Sequence, residues 1–358
     1  MKRPAHGGNL AWAAALAGCP PSSILDFSAS INPLGPPPSA IAAIQSQLST
    51  IAAYPNPDYR ELREAIGAFH DLDPDWILPG NGAAELLTWA ARDLSTLAAT
   101  VLLTPAFGDY RRSLDAVGAQ VVTVPLSVVD EQWTIARKLT EHPAISAQNM
   151  GLLLNNPHNP TGRLFSQTDI LPYLDSFALV VVDEAFMDFL TPERQQSAIE
   201  LIKTHPNLAI VRSLTKFYSL PGLRLGYCIA HPDRLQRWQQ WRDPWPVNSL
   251  AAASARAVLS DRPFQTQTFT WLARARQTLF DGLTAIRTVH PYPSAANFLL
   301  VRCDRSACEV QEQLLKHERI LIRDCLSFPE LGDLYFRIAV RSESDNQKLL
   351  RGLTKIIE

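Results

Sequence analysis

The chain has 358 residues, 46% hydrophobic and 19% charged, with a formal net charge of −2. That composition supports a sizeable core, and with no basic stripe it argues against disorder and against a nucleic-acid surface. Five cysteines, odd in number and without a C-x-x-C pair, argue against a zinc site or a disulfide framework and fit a reducing, cytoplasmic compartment. No apolar run reaches membrane-spanning length, and the length predicts two domains or one large domain with a smaller one attached.

At the N-terminus, Lys2 and Arg3 precede Leu10-Ala-Trp-Ala-Ala-Ala-Leu-Ala-Gly18 and Cys19. This imitates a lipoprotein signal. The favoured alternative is a short helix capped by Asn9 and stopped by Gly18 and the Pro20-Pro21 pair. Ahead of it, His6-Gly-Gly-Asn9 offers backbone that approaches a ligand closely. Three prolines in a row, Pro36–Pro38, make the segment from Leu25 a rigid arm, and a helix is expected over Ala40–Leu48. Tyr54-Pro-Asn-Pro-Asp-Tyr59 is turn-rich and leads to an amphipathic helix over Glu61–Phe69. Ile77-Leu-Pro-Gly80-Asn-Gly82-Ala83 reads as a glycine turn feeding a helix, whose free N–H groups favour an anion.

Short apolar runs then alternate with helical or loop stretches. They are Thr100–Leu103, Val121–Val124, Leu152–Leu154, Leu179–Val182, Ala209–Val211 and Leu225–Ile229. The pattern predicts a mainly parallel sheet covered on both faces. Polar and aromatic residues follow the strand ends, where such sheets bind ligands. They are Phe107 and Tyr110, Asn155 to Gly162, Asp183-Glu-Ala-Phe186, and Ser213 to Lys216. Lys216 sits on a loop before a Pro-Gly break, placed to form a Schiff base with an aldehyde. Ser213 and Arg224 flank it as candidates for a phosphate on that aldehyde. Asp183 follows three valines, so it is either a buried partner for a cation or a helix cap. The aldehyde phosphate that satisfies this set is pyridoxal phosphate (PLP).

After a tryptophan-rich helix (Trp238, Trp241) and Asp243-Pro-Trp-Pro, helices are expected over Ala251–Leu259 and Thr270–Ile286. The rest alternates as a small α+β domain, with strands at Asn297–Val301, Ile320–Arg323 and Leu334–Val340. Arg323 and Arg337 fall in apolar strands, which requires a substrate anion or an internal salt bridge. The expected division is an arm and part of the small domain over 1–45, a large domain over 46–248 and the small domain over 249–358.

Asn159-Pro-Thr-Gly162, Asp183-Glu-Ala, Ser213-x-x-Lys216 and Arg224-x-Gly226 together resemble the class I/II aminotransferase family of fold-type I PLP enzymes. The resemblance covers nearly the whole chain in order. It implies an α/β fold with a mainly parallel seven-stranded sheet and a small α+β domain. His6-Gly-Gly-Asn9, Asp26 to Gly35, Pro244-Trp-Pro-Val-Asn248 and Arg337-Ile-Ala-Val-Arg341 narrow it to the group that decarboxylates threonine phosphate in cobalamin biosynthesis. These are relatives of histidinol-phosphate aminotransferases, which supply the alternative activity, transamination with 2-oxoglutarate. The resemblance implies Lys216 as Schiff-base lysine and proton carrier and Asp183 as partner of the pyridine nitrogen. Asn159 falls on the ring hydroxyl and Phe107 on the ring face. Gly82, Ala83, Ser213 and Arg224 fall on the cofactor phosphate, joined by Tyr54 from the neighbouring subunit of a homodimer with shared sites. Substrate falls to His6, Asn32, Arg323 and Arg337, and no metal is implied. One departure stands out: Phe186 occupies the place where aminotransferases of this group carry a tyrosine, and it favours the decarboxylases.

Overall fold

The computed structural model describes residues 3–129, 132–134, 139 and 146–357. Seven strands form the main sheet: β1 (Ile77–Gly80), β2 (Ala99–Thr104), β3 (Val121–Pro125), β4 (Met150–Asn155), β5 (Leu179–Asp183), β6 (Leu208–Ser213) and β7 (Gly226–Ala230). Their spatial order is β1-β7-β6-β5-β4-β2-β3. Strand β7 runs antiparallel to both neighbours, and all other pairs are parallel. The continuous apolar runs follow from burial on both faces. Along β5, Leu179 and Val181 enter one core cluster while Val180 and Val182 enter the other, as the two-residue repeat of a strand requires.

Two strand readings change. The Ile77–Gly80 segment, read as a turn, is a fully buried edge strand. Pro79 is tolerated there because β1 pairs on one side only. The run Ile320–Arg323, read as one strand, serves two sheets. Its first two residues pair in parallel with Leu25–Asp26 of the arm.

The small body carries a second, antiparallel sheet of β8 (Val289–Pro291), β9 (Phe298–Cys303), β10 (Arg323–Asp324) and β11 (Tyr335–Ala339), in the order β8-β9-β11-β10. Phe27 continues the arm into this body: its N–H donates to the Leu321 carbonyl at 2.8 Å, and its carbonyl accepts from Ala339 N–H at 2.8 Å. Expected helices appear with shifted ends, at Pro38–Ser46, Arg60–His70, Ser249–Leu259 and Arg262–Thr284. The last starts earlier than its apolar pattern because Asp261 caps it, accepting from Phe264 N–H at 3.1 Å.

The Leu10–Ala17 run is the capped helix. Asn9 accepts from Trp12 N–H at 3.0 Å, and Gly18 closes the helix in the left-handed region. Trp12 and Ala13 pack with Leu315 and Leu321 of the small body. Lys2, the first charge of the signal-like pattern, lies outside the described residues. Among the described residues no helix is long and apolar enough to cross a membrane.

Candidate active site

The carboxyl ends of β4, β5 and β6 lie side by side, with Asn155 opposite Asp183 and Asp183 opposite Val211. A cavity of about 250 Å³ opens there, between the main sheet and the small body. Of the residues expected from sequence, His6, Phe107, Asn159, Asp183, Lys216, Arg323 and Arg337 line it.

Asp183 ends β5 and is 4% exposed. Its Oδ1 accepts from Ala185 N–H at 2.9 Å and its Oδ2 from the Tyr110 hydroxyl at 2.7 Å. Burial pushes its pKa up, while Lys216 and the Tyr110 hydrogen bond oppose that shift. Lys216 shows the mirror effect. Burial lowers its pKa, Asp183 raises it, and the nearby Arg337 and Arg224 lower it further. A lysine so placed loses its proton more readily and is the better nucleophile toward an aldehyde. Its Nζ lies 4.8 Å from the centroid of the Phe186 ring, which offers a π face and no hydroxyl.

The far end of the cavity carries two arginines in direct register across the β10–β11 pair, Arg323 opposite Arg337. Arg337 donates to Asn159 Oδ1 at 2.5 Å and to the Ser28 carbonyl at 3.3 Å. Burial lowers its pKa to about 10, with the Arg323 charge adding to the effect. Arg323 donates to the Ala5 carbonyl at 2.6 Å and to Ser327 Oγ at 2.5 Å. Its nearest carboxylate is Asp324 at 3.9 Å, and that group also faces Arg3 at 3.8 Å. Two facing guanidinium groups with so little acid near them make an anion site. His6 stands at the rim, half exposed, with Nε2 3.9 Å from Asp109 Oδ1.

Behind Lys216 lies a second grouping. Gly82 starts the helix Gly82–Leu94, and the Asn81 side chain does not cap it. A Cβ on Gly82 would stand 2.6 Å from Arg224 Nη2, and one on Gly226 would stand 2.7 Å from Ala83 N. Gly82 also has φ +77, which favours glycine. Ser213 pairs with Gly226 across β6 and β7. A helix N-terminus, a serine and an arginine thus share one cradle, the donor set of a phosphate site. The cradle, the readily deprotonated Lys216 and the buried Asp183 fit the phosphate, aldehyde and pyridine nitrogen of PLP.

Asn32 and Tyr54, the second expected to act from a neighbouring subunit, line neither this cavity nor the cradle. Asn32 donates its amide to the Phe217 carbonyl at 2.8 Å and to Thr268 Oγ1 at 2.9 Å, and accepts from Leu34 N–H at 3.1 Å. Its side chain thereby braces the lysine loop. Tyr54 is 79% exposed and packs beside Trp245 at 4.5 Å between ring centroids. Two residues without an assigned role belong to the site. They are Tyr110, through Asp183, and Asn155, whose amide donates to the Asp183 carbonyl at 2.7 Å and whose Oδ1 accepts from Asn159 N–H at 2.6 Å. Tyr110 stands one helical turn after Phe107, a spacing that signals a shared face.

Residues 22–356 match the model of the family "Aminotransferase class I and II". The chain belongs to this family. Family members work with PLP, in keeping with the cradle and the lysine–aspartate pair. Among relatives, the chain is 37% identical to the threonine-phosphate decarboxylase of Salmonella typhimurium, covering 99% of this chain and 96% of that one. It is 33% identical to a histidinol-phosphate aminotransferase of Symbiobacterium thermophilum, covering 90% of this chain and 87% of the other. Among solved structures, the L-threonine-O-3-phosphate decarboxylase of Porphyromonas gingivalis superposes with a TM-score of 0.81 at 27% identity, over 92% of this chain and 98% of that one.

Proposed function

We propose that this family member is a PLP-dependent carboxy-lyase that converts L-threonine O-3-phosphate to CO2 and (R)-1-aminopropan-2-ol O-phosphate, a step of cobalamin biosynthesis. The observation that carries the reading is the two-ended cavity. One end holds an imine-forming lysine beside a buried carboxylate. The other presents facing arginines to a substrate with two anionic groups. The similarity to a threonine-phosphate decarboxylase along almost the whole chain supports the choice of substrate.

Bound PLP supplies the electron sink that makes loss of CO2 from an amino acid feasible. Asp183 would hold the pyridine nitrogen charged, Phe107 would cover the ring face, and Asn159 would donate its amide N–H to the ring oxygen. Gly82, Ala83, Ser213 and Arg224 would take the cofactor phosphate. Arg323 and Arg337 bind the substrate's carboxylate and phosphate and so orient which bond breaks. Lys216 Nζ then delivers a proton to the carbon that lost CO2. We further assign the protein to the cytoplasm, in keeping with its five free cysteines. We also assign it to a homodimer in which the exposed Tyr54 reaches the partner's cofactor phosphate.

The test is direct. Purified protein with PLP and threonine phosphate is expected to release CO2 and aminopropanol phosphate in equal amounts. Absence of CO2, with turnover of imidazole-acetol phosphate that depends on glutamate, would replace this reading by the aminotransferase one.

A further inference from the structure

Beneath the cavity lies a charge cluster that the proposed chemistry does not use. Arg212 is 1% exposed and Glu184 is fully buried. The guanidinium makes two ion pairs, Nη2 with Glu184 Oε2 at 2.9 Å and Nη1 with Asp188 Oδ1 at 2.5 Å. Glu184 is satisfied further by the Ser197 hydroxyl at 2.7 Å and Ala198 N–H at 2.8 Å. Burial raises the pKa of both carboxyls, and Arg212 opposes it. Three buried charges are expensive, and an apolar trio of the same volume often serves stability as well or better. Stability alone does not account for them.

Their positions in the chain do. Glu184 directly follows Asp183, Arg212 directly precedes Ser213, and Asp188 lies two residues after Phe186. The backbone repeats the tie, since Glu184 N–H donates to the Val211 carbonyl at 2.8 Å. One forked guanidinium therefore joins the segments that carry Asp183, Phe186 and Ser213–Lys216. A fork with two fixed partners sets both direction and distance, which a single ammonium does not.

We infer that Arg212 is a positioning residue: its paired contacts to Glu184 and Asp188 fix the spacing between Asp183 and Lys216 and the seat of Phe186. The inference rests on the cavity being a PLP site, and it is independent of which amino acid the enzyme takes. Errors of about 1 Å at reacting groups lower rates by about a hundredfold, so a loosened tie is read as lost turnover more than lost substrate affinity.

The test combines Glu184→Gln, Asp188→Asn and Arg212→Met, which removes every charge at similar volume. The apoprotein is expected to stay folded with a cooperative melt. Its affinity for added PLP, read by tryptophan fluorescence without substrate, is expected to fall about tenfold, and kcat about 30- to 100-fold with KM within about threefold. If the triple variant does not fold, Asp188→Asn alone carries the test. It keeps an acceptor for Arg212 but removes one charge, and losses of the same sign of about three- to tenfold are expected. Wild-type PLP affinity and kcat in a folded variant would overturn the inference. So would a lowered melting temperature with both unchanged. A wild-type enzyme that releases no CO2 from threonine phosphate yet loses PLP affinity in the variant would overturn the proposed function and leave this inference standing.

Discussion

The two ends of the cavity handle buried charge in opposite ways. At the lysine end, Asp183 and Lys216 face each other, and each moderates the shift that burial imposes on its partner. At the arginine end, Arg323 and Arg337 are register partners of like sign, and burial together with the Arg323 charge makes the Arg337 charge harder to hold. The first end pairs its opposite charges within the protein, before a cofactor is bound. The second is completed only by a ligand, so part of the binding energy of an anion relieves repulsion already built into the site.

That contrast breaks most sharply at Lys216. Lys216→Ala removes the group that attaches the cofactor and carries the proton, and kcat is expected to drop by about 10⁴ or more. Turnover at the wild-type rate in a PLP-saturated steady-state assay would refute the chemical scheme. Next is Arg337→Met, which leaves one substrate anion without its partner. A fall in kcat/KM of about a hundredfold or more is expected, while the substrate-free protein becomes more stable by about 1 kcal/mol because a buried, repelled charge is gone. Denaturant midpoints of the apoprotein measure the second effect, and a loss of stability would refute the contrast between the ends.

The same variant tests whether the two ends communicate. Arg337 is one of the charges that hold the Lys216 pKa down. Without it the ammonium form is favoured, so the pH profile for attachment of free pyridoxal to the apoprotein is expected to move to higher pH. Tyr110→Phe comes next. The lost hydrogen bond to a carboxylate predicts a drop of about tenfold in kcat and weaker PLP binding, with a higher Asp183 pKa. Smallest is Phe186→Tyr, expected to change kcat by less than about threefold, with transamination measured alongside to see whether the added hydroxyl opens it.

The parallel strands β2, β4, β5 and β6 were legible because burial on both faces forces an uninterrupted apolar run. Strand β1 was not, because Pro79 and Gly80 are turn residues and only an edge position excuses them. The direction of β7 was equally hidden, since an apolar run carries no sign of orientation. In the site, Asp183 and the two arginines stood out as charges in apolar runs, and Lys216 by its place on a loop just past a strand end. Tyr110 and Asn155 act through other residues, and nothing in their local sequence names the partner. The bracing bonds of Asn32 were hidden for a related reason: nothing in a proline-rich arm names Thr268 and the Phe217 carbonyl as its partners.

The pairing of Leu25–Asp26 with Ile320–Leu321 bears on how the protein is made. Nearly the whole chain separates these two segments, and a parallel pair of that span closes late in folding. On the ribosome the arm is among the first segments to emerge, yet its seat is among the last. The cavity wall at Ser28–Ile31 and the strand that carries Arg323 therefore take shape in the same closing event. A chain stopped before Ile320 has Lys216 and Asp183 but lacks both arginines of the cavity.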